Sequence, residues 1–146
     1  MKRTILLLVL IVLIAAGWYG YKLYTGKVPS LTDVKTDATI SAISLISAFE
    51  KDSATANKQY LGKILEVQGS VKSVDTASAM VALGDASSES SVRCSMDSAF
   101  VKSITGLNQG SSITIKGACS VFMPDETGLG FGSDVVLNRC VLKNKN

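Results

Sequence analysis

The spacing of apolar residues changes along the chain, and each spacing predicts a different kind of element. Between Thr4 and Tyr21 no residue is charged, and residues 5–16 are apolar around the whole circumference of a helix. Eighteen helical residues at ~1.5 Å each span ~27 Å, which is close to the ~30 Å hydrocarbon core of a bilayer. The pattern therefore predicts one transmembrane helix over residues 4–24.

The charges beside this segment indicate its orientation. Residues 1–3 carry two basic side chains, and only Lys22 and Lys27 follow the segment closely. Because basic residues favour the cytoplasmic side of a membrane, residues 1–3 are predicted to stay in the cytoplasm. The segment is then a single-pass signal anchor in the cytoplasmic (inner) membrane, and the rest of the chain faces the periplasm or the cell exterior.

A cleaved signal peptide is the alternative, since Ala15–Gly17 is a run of small residues of the kind that signal peptidases cut. Trp18, Tyr19 and Tyr21 favour an uncleaved anchor, because aromatic rings at the end of an apolar span sit well among lipid headgroups. Both alternatives export the domain that follows.

Residues 25–36 mix turn-forming and polar residues and are predicted to be a linker. Asp37 is a suitable N-cap, and Gly62 suits the left-handed turn that ends a helix, so one amphipathic helix is predicted over residues 37–61. Apolar residues recur along it every three or four positions and are expected to pack against the end of a barrel. They include Ala42, Leu45, Phe49, Ala56 and Tyr60.

After Gly62 the apolar period shortens to two, which is typical of half-buried strands. Five such segments are expected within residues 62–143, with a bend in the first at Gly69 and a short helix between the third and the fourth. Three strands, a helix and two more strands is the order of the OB fold, a mainly β, five-stranded Greek-key barrel. The predicted strands are 63–73, 80–83, 92–96, 113–121 and 134–142.

The predicted domain differs in charge from the whole chain. Four of the 15 basic residues flank the apolar segment, so eleven remain beyond Lys27 against all 12 acidic residues, a formal charge of about −1. A domain that binds phosphate backbones without sequence preference normally carries a basic surplus. The charge therefore argues against that function.

The chain contains no histidine, which removes the Ser-His-Asp and Cys-His nucleophile pairs. Its three cysteines lack the spacing of a zinc site, so neither a metal nor another cofactor is expected. The glycine-rich run 128–132 leads from strand to strand rather than into a helix, and so does not fit a phosphate-binding loop. The protein is predicted not to be an enzyme.

Cys94, Cys119 and Cys140 all lie in the exported part, where disulfides are permitted. A disulfide between Cys119 and Cys140 is the hypothesis, because the fourth and fifth strands are neighbours in an OB barrel. Three buried free thiols are the alternative, which the uncertain strand register leaves open.

OB domains bind ligands on one face of the barrel and through the loops beside it. Lys72, Arg93 and Ser95 lie on the polar faces of the first three predicted strands and are candidate ligand-binding residues. Phe131, in the loop before the last strand, is a fourth candidate that would either stack on a ligand or cover the barrel mouth. The same three strands contain no aromatic residue, which argues against binding of single-stranded nucleic acid.

The chain resembles the tRNA anticodon-domain-like OB family of small exported bacterial proteins over about residues 38–142. The resemblance implies the OB fold but no particular activity, because a shared fold does not define a function. It rests on segments 48–50, 56–60, 65–71, 92–96, 115–120 and 135–140, the last of which reads Val-Val-Leu-Asn-Arg-Cys.

These features predict a membrane-anchored, extracytoplasmic OB-fold binding or assembly module for a protein, peptide or glycan at the envelope. Single-stranded nucleic-acid or oligonucleotide binding by the barrel face is the alternative function.

Overall fold

The computed structural model describes residues 2–24, 31–126 and 130–143. Three α-helices, six strands and one 3₁₀ helix follow one another along this part of the chain. In order they are α1 (Lys2–Tyr24), β1 (Ala38–Ser41), α2 (Ala42–Lys51), α3 (Ser53–Tyr60), β2 (Ile64–Asp75), β3 (Met80–Leu83), β4 (Ser91–Met96), the 3₁₀ helix (Ser98–Ile104), β5 (Ser112–Met123) and β6 (Asp134–Lys143).

Five of the strands form a closed barrel in the order β2-β3-β4-β6-β5, with β5 returning to pair with β2. All neighbours are antiparallel except β4 and β6, which run parallel. Closure matters because it removes exposed sheet edges. The predicted mainly β, five-stranded barrel of OB type is confirmed.

The long strand β2 serves both halves of the barrel. Residues 64–70 pair with β5, and residues 71–75 pair with β3. Gly69 lies at this division, and a Cβ atom placed on it would come within 2.8 Å of the Cβ of Ala42. Its small size therefore lets the start of α2 approach the strand.

The single helix predicted over residues 37–61 is wrong at two points. Residues 38–41 form β1, which pairs in parallel with β2, and the helix begins only after Ser41, whose hydroxyl caps it by accepting the N–H of Ser44. A second cap at Asp52 separates α2 from α3. The apolar period runs across both caps, so it did not show where one element ends and the next begins.

One end of the barrel is filled by α2. Its buried residues are Ala42, Leu45, Ile46 and Phe49, which pack into the same core as the inward residues of the strands. The ring of Phe49 stacks on Phe122 of β5 with centroids 4.9 Å apart. Burying a side chain of this size contributes roughly 1.5–3 kcal/mol, so α2 is an integral part of the domain.

Residues 31–37, here called the strap, pack against the barrel, whereas the sequence predicted a linker over 25–36. Leu31 is buried, and the amine of Lys116 on β5 donates to the carbonyls of Thr32 and Val34. At the end of the strap, the backbone of Asp37 and its carboxylate both bond to the backbone of Ile64. Residues 25–30 of the predicted linker lie outside the described residues.

The segment predicted to span the membrane is helical from Lys2 to Tyr24. Within the part of the chain whose side chains the structure describes, which in α1 begins at Val12, no helix is long and apolar enough to cross a membrane.

Candidate ligand-binding clefts

A cleft of about 310 Å³ crosses the outer face of β2, β3 and β4, the face that OB domains commonly use for binding. We call it the OB-face cleft. Its floor is made of small and medium-sized side chains that alternate with the buried residues of the same strands. The lining residues are Lys72, Ser73, Asp75, Met80, Ala82, Ser91 and Arg93.

Lys72, the first predicted binding residue, lines this cleft but is already engaged. Its amine donates to the carbonyl of Ser90 at 3.1 Å and also to the carbonyl of Ser88. Both acceptors belong to the loop between β3 and β4. Lys72 therefore stabilises that loop against β2, and its charge is partly satisfied.

Arg93, the second predicted residue, lines the same cleft and pairs with the first residue of β6. Its Nε lies 2.7 Å from Oδ2 of Asp134, and Oδ1 of Asp134 accepts the hydroxyl of Ser91 at 2.6 Å. The arginine side chain is half exposed, while that of the aspartate is mostly buried. The pair neutralises the second cation of the OB-face cleft.

Ser95 and Phe131 lie apart from these two cations. Ser95 lines a different, shallow depression together with Asn138 and Arg139. Phe131 is 72 % exposed, so it does not cover the barrel mouth. The structure thus brings Lys72 and Arg93 together and leaves the other two predicted residues elsewhere on the surface.

One hydroxyl group, that of Ser90 in the loop before β4, joins this loop to α2 and to the loop before β6. The hydroxyl of Ser90 donates to Glu50 of α2 at 2.8 Å and accepts the backbone N–H of Ser133 at 3.0 Å. Gly132 fits so closely against the backbone of Glu89 and Ser90 that a Cβ atom would lie 2.4 Å from the nearest carbon. The loop that carries Phe131 is therefore fixed at its base. The sequence did not predict these hydrogen bonds, because the serine-rich loop has no regular spacing of apolar residues.

A larger cleft of about 730 Å³ lies where β1 meets α2, and we call it the β1–α2 cleft. Its walls combine hydroxyl and amide side chains with glycine backbone and the exposed side chain of Ile43. Asp85 is its one charged lining residue among those described, and the N–H and hydroxyl of Ser87 lower the pKa of Asp85 below 3.8. The polar lining residues are Ser41, Gln68, Ser70, Gln109 and Ser112.

All three cysteines are buried and free in the structure, so the hypothesised Cys119–Cys140 disulfide is not formed in it. Residues 137–140 of β6 span the same length as residues 94–96 of β4, which makes a bulge at Asn138 and Arg139. Arg139 has a positive φ of 55°, and the bulge turns Cys140 into the core. The thiol of Cys140 donates to the carbonyl of Leu137 at 3.4 Å, and the thiol of Cys94 donates to the carbonyl of Val92 at 3.9 Å.

The closed barrel, its strand order and the helix between β4 and β5 define the chain as an OB-fold protein. It belongs to the tRNA_anti-like family, whose model matches residues 1–140. The family resemblance seen in the sequence is therefore confirmed. The comparison with curated proteins gave no significant match.

Two solved structures are similar to this chain. The putative nucleic acid-binding lipoprotein from Klebsiella pneumoniae subsp. pneumoniae MGH 78578 is 18 % identical, with a TM-score of 0.52 over 73 % of this chain and 92 % of that chain. The putative aspartyl-tRNA synthetase from Leishmania major Friedlin is 8 % identical, with a TM-score of 0.45 over 82 % of this chain and 23 % of that one. The first likeness shows a shared fold.

Proposed function

We propose that this protein is a non-catalytic binding and assembly module of the cell envelope, held outside the cytoplasmic membrane by α1. Its ligand is proposed to be an uncharged polar chain, namely a protein segment, a peptide or a glycan. One observation carries the proposal: Lys72 and Arg93, the two cations that the structure describes in the OB-face cleft, already bond within the domain. An anionic backbone would have to displace carbonyl groups and a carboxylate before it could bind them.

The chemistry of the β1–α2 cleft supports the same ligand class. Its hydroxyl and amide groups offer both donors and acceptors, while Asp85, the one charged group among its described lining residues, is a carboxylate that would repel phosphate. A volume of about 730 Å³ is within the usual range of ligand sites. Such a surface suits the alternating donors and acceptors of a peptide backbone or a sugar.

Binding rather than catalysis is proposed because the serine hydroxyls that line the two clefts have no histidine to activate them as nucleophiles. The titratable side chains that line the OB-face cleft are Lys72, Asp75 and Arg93, and Asp85 lines the β1–α2 cleft. The chain has no histidine to act as a general base near neutral pH.

The membrane location is supported by the sequence of α1. This helix has 23 residues, which at ~1.5 Å each exceeds the ~30 Å of a hydrocarbon core. Residues 4–21 within it are uncharged, and two basic residues precede them. The proposed orientation leaves the barrel outside the cytoplasm.

The experiment uses the full chain in detergent micelles against arrays of neutral oligosaccharides and uncharged peptides. We expect at least one array ligand to be retained by the wild type and lost when Gln109→Ala removes an amide from the β1–α2 cleft. Gln59→Ala is the matched control, because Gln59 is an exposed glutamine of α3 outside that cleft. Equal retention by both variants would show that the cleft is not the binding site.

The second candidate function is binding of single-stranded nucleic acid by the OB-face cleft. It is favoured by the location of Lys72 and Arg93 on one OB face and by the Klebsiella structure, whose protein is described as a putative nucleic acid-binding lipoprotein. Labelled single-stranded DNA retained at low salt and released at high salt would support it and would argue against the uncharged ligand. No retention at low salt is the result expected here.

A further inference from the structure

Cys94 and Cys140 lie on neighbouring parallel strands of the barrel and point into the same core. Cys94 is opposite Leu137, and Cys140 is opposite Met96 across the β6 bulge. Both cysteines are fully buried. Residues 138–140 of β6 lie beside residues 95–96 of β4. The extra residue in β6 therefore brings Cys140 one position closer to Cys94 along the strand.

Gly117 of β5 leaves room for the thiol of Cys140. A Cβ atom on Gly117 would lie 2.5 Å from that sulfur, so the thiol occupies the volume that any larger residue would fill. Hydrogen bonding with the thiol of Cys94 and burial both raise the pKa of Cys140. Because their strands are adjacent and both side chains are buried in the same core, the two thiols are neighbours.

We propose that Cys94 and Cys140 form a disulfide that ties β4 to β6, and that Cys119 stays a free thiol. Cys119 lies on β5 opposite Leu137, and β6 separates it from Cys94 on β4. Burial alone raises its pKa to about 11. An odd number of cysteines then leaves one thiol that burial protects from modification.

The reaction is thiol–disulfide exchange with an oxidising disulfide, such as that of a protein oxidant or of oxidised glutathione. The thiolate of one cysteine attacks a sulfur of the oxidant and releases one thiolate, which gives a mixed disulfide. The second cysteine attacks the protein sulfur of that intermediate and releases the other thiolate. The two cysteines lose two electrons and two protons, and the oxidant disulfide is reduced to two thiols.

Burial places this step before the barrel closes. In the folded chain both sulfurs are inaccessible and Cys140 is held in its protonated form, which is not the attacking species. The exchange is therefore expected while β6 is still undocked. Once formed, the disulfide is shielded by the same burial. The proposal rests on the proposed export only for the source of the oxidant in the cell.

The experiment refolds the full chain in detergent micelles from the reduced, unfolded state in the presence of oxidised glutathione. The product is unfolded without reductant, alkylated and digested with trypsin. Cleavage after Arg93, Lys116 and Arg139 places the three cysteines on separate peptides. We expect the loss of two of the three alkylatable thiols, and a linked species of peptides 94–102 and 140–143 that is lighter by two hydrogen atoms.

Two variants separate this pairing from the others. Cys119→Ser should keep the 94–140 link and leave no alkylatable thiol, whereas Cys94→Ser should leave two. Three alkylatable thiols in the wild type, or a linked species that contains Cys119, would overturn the proposal. Because the oxidant is added in vitro, this outcome is independent of whether α1 anchors the protein in a membrane.

Discussion

Gly117 is a residue whose replacement by alanine should be costly, because its missing side chain is part of the packing. A Cβ atom there would meet the sulfur of Cys140 at 2.5 Å and the Cβ of Leu137 at 3.1 Å. We expect Gly117→Ala to lower the free energy of unfolding by about 1–3 kcal/mol, as overpacked cores do. Urea denaturation measures it, with Gly106→Ala as the control, since a Cβ atom on Gly106 would meet no described atom within 4 Å. Equal stability of the two variants would contradict the described contact.

Asp134 determines how much positive charge the OB-face cleft offers. Asp134→Ala removes the carboxylate 2.7 Å from Arg93, so the guanidinium becomes available to phosphate. We expect stronger retention of single-stranded DNA at low salt, with a salt dependence that steepens by roughly 0.7 per added phosphate contact. Glu89→Ala gives the same change of net charge at an exposed residue outside that cleft. If both variants retain DNA equally, Asp134 does not mask Arg93.

At the scale of elements, the spacing of apolar residues predicted the strands well. It predicted the start of the helix less well. Residues 80–83 were predicted as a strand and form β3, because strict alternation has few competing interpretations. Residues 38–41 were predicted to be helical because Asp37 is a suitable N-cap, but the helix is capped four residues later, at Ser41. The contact that decides between them, Asp37 with Ile64, spans 27 positions of the sequence. A local pattern does not contain it.

The candidate site was predictable only in part for the same reason. Strand alternation placed Lys72 and Arg93 on one outer face, and both line the OB-face cleft. Their partners Ser88, Ser90 and Asp134 lie in a loop or on a strand that is distant in the sequence. The sequence therefore did not show that both cations already bond within the domain. The bulge in β6 likewise follows no sequence period, and it is what turns Cys140 into the core.

Asp52 ends α2 and caps α3, and its capping should depend on pH. The hydroxyl and then the backbone N–H of Thr55 lower the pKa of Asp52 below its ordinary value of 3.8. The unfolded chain therefore binds more protons in this range, so the cap stabilises the fold above about pH 4 and is lost as pH falls through the lowered pKa. We expect Asp52→Asn to be less stable than wild type near pH 7 and to converge with it in acid. Thermal unfolding from pH 7 to pH 2 tests this, and a constant difference would contradict it.

At the scale of the whole molecule, Lys116 joins the strap to the barrel. Its amine donates to two strap carbonyls, and hydrogen bonds of charged groups contribute about 1.5–3 kcal/mol. Lys116→Ala should therefore speed hydrogen exchange in residues 31–37 by roughly tenfold or more. Lys143→Ala is the control, because Lys143 pairs with Glu66 and not with the strap. Unchanged exchange in Lys116→Ala would mean that the strap is held by its other contacts.

The proposed anchor can be tested through Trp18, because it is the one tryptophan of the chain and lies in α1. The tryptophan fluorescence of the protein therefore comes from that helix and not from the barrel. If α1 spans a bilayer, Trp18 should sit at its interface, where aromatic rings favour the headgroup level. We expect blue-shifted emission from the full chain in vesicles, and strong quenching by lipids brominated near the headgroup. Emission like that of tryptophan in water, unaffected by brominated lipid, would remove the anchor from the proposed function while leaving the cleft experiments intact.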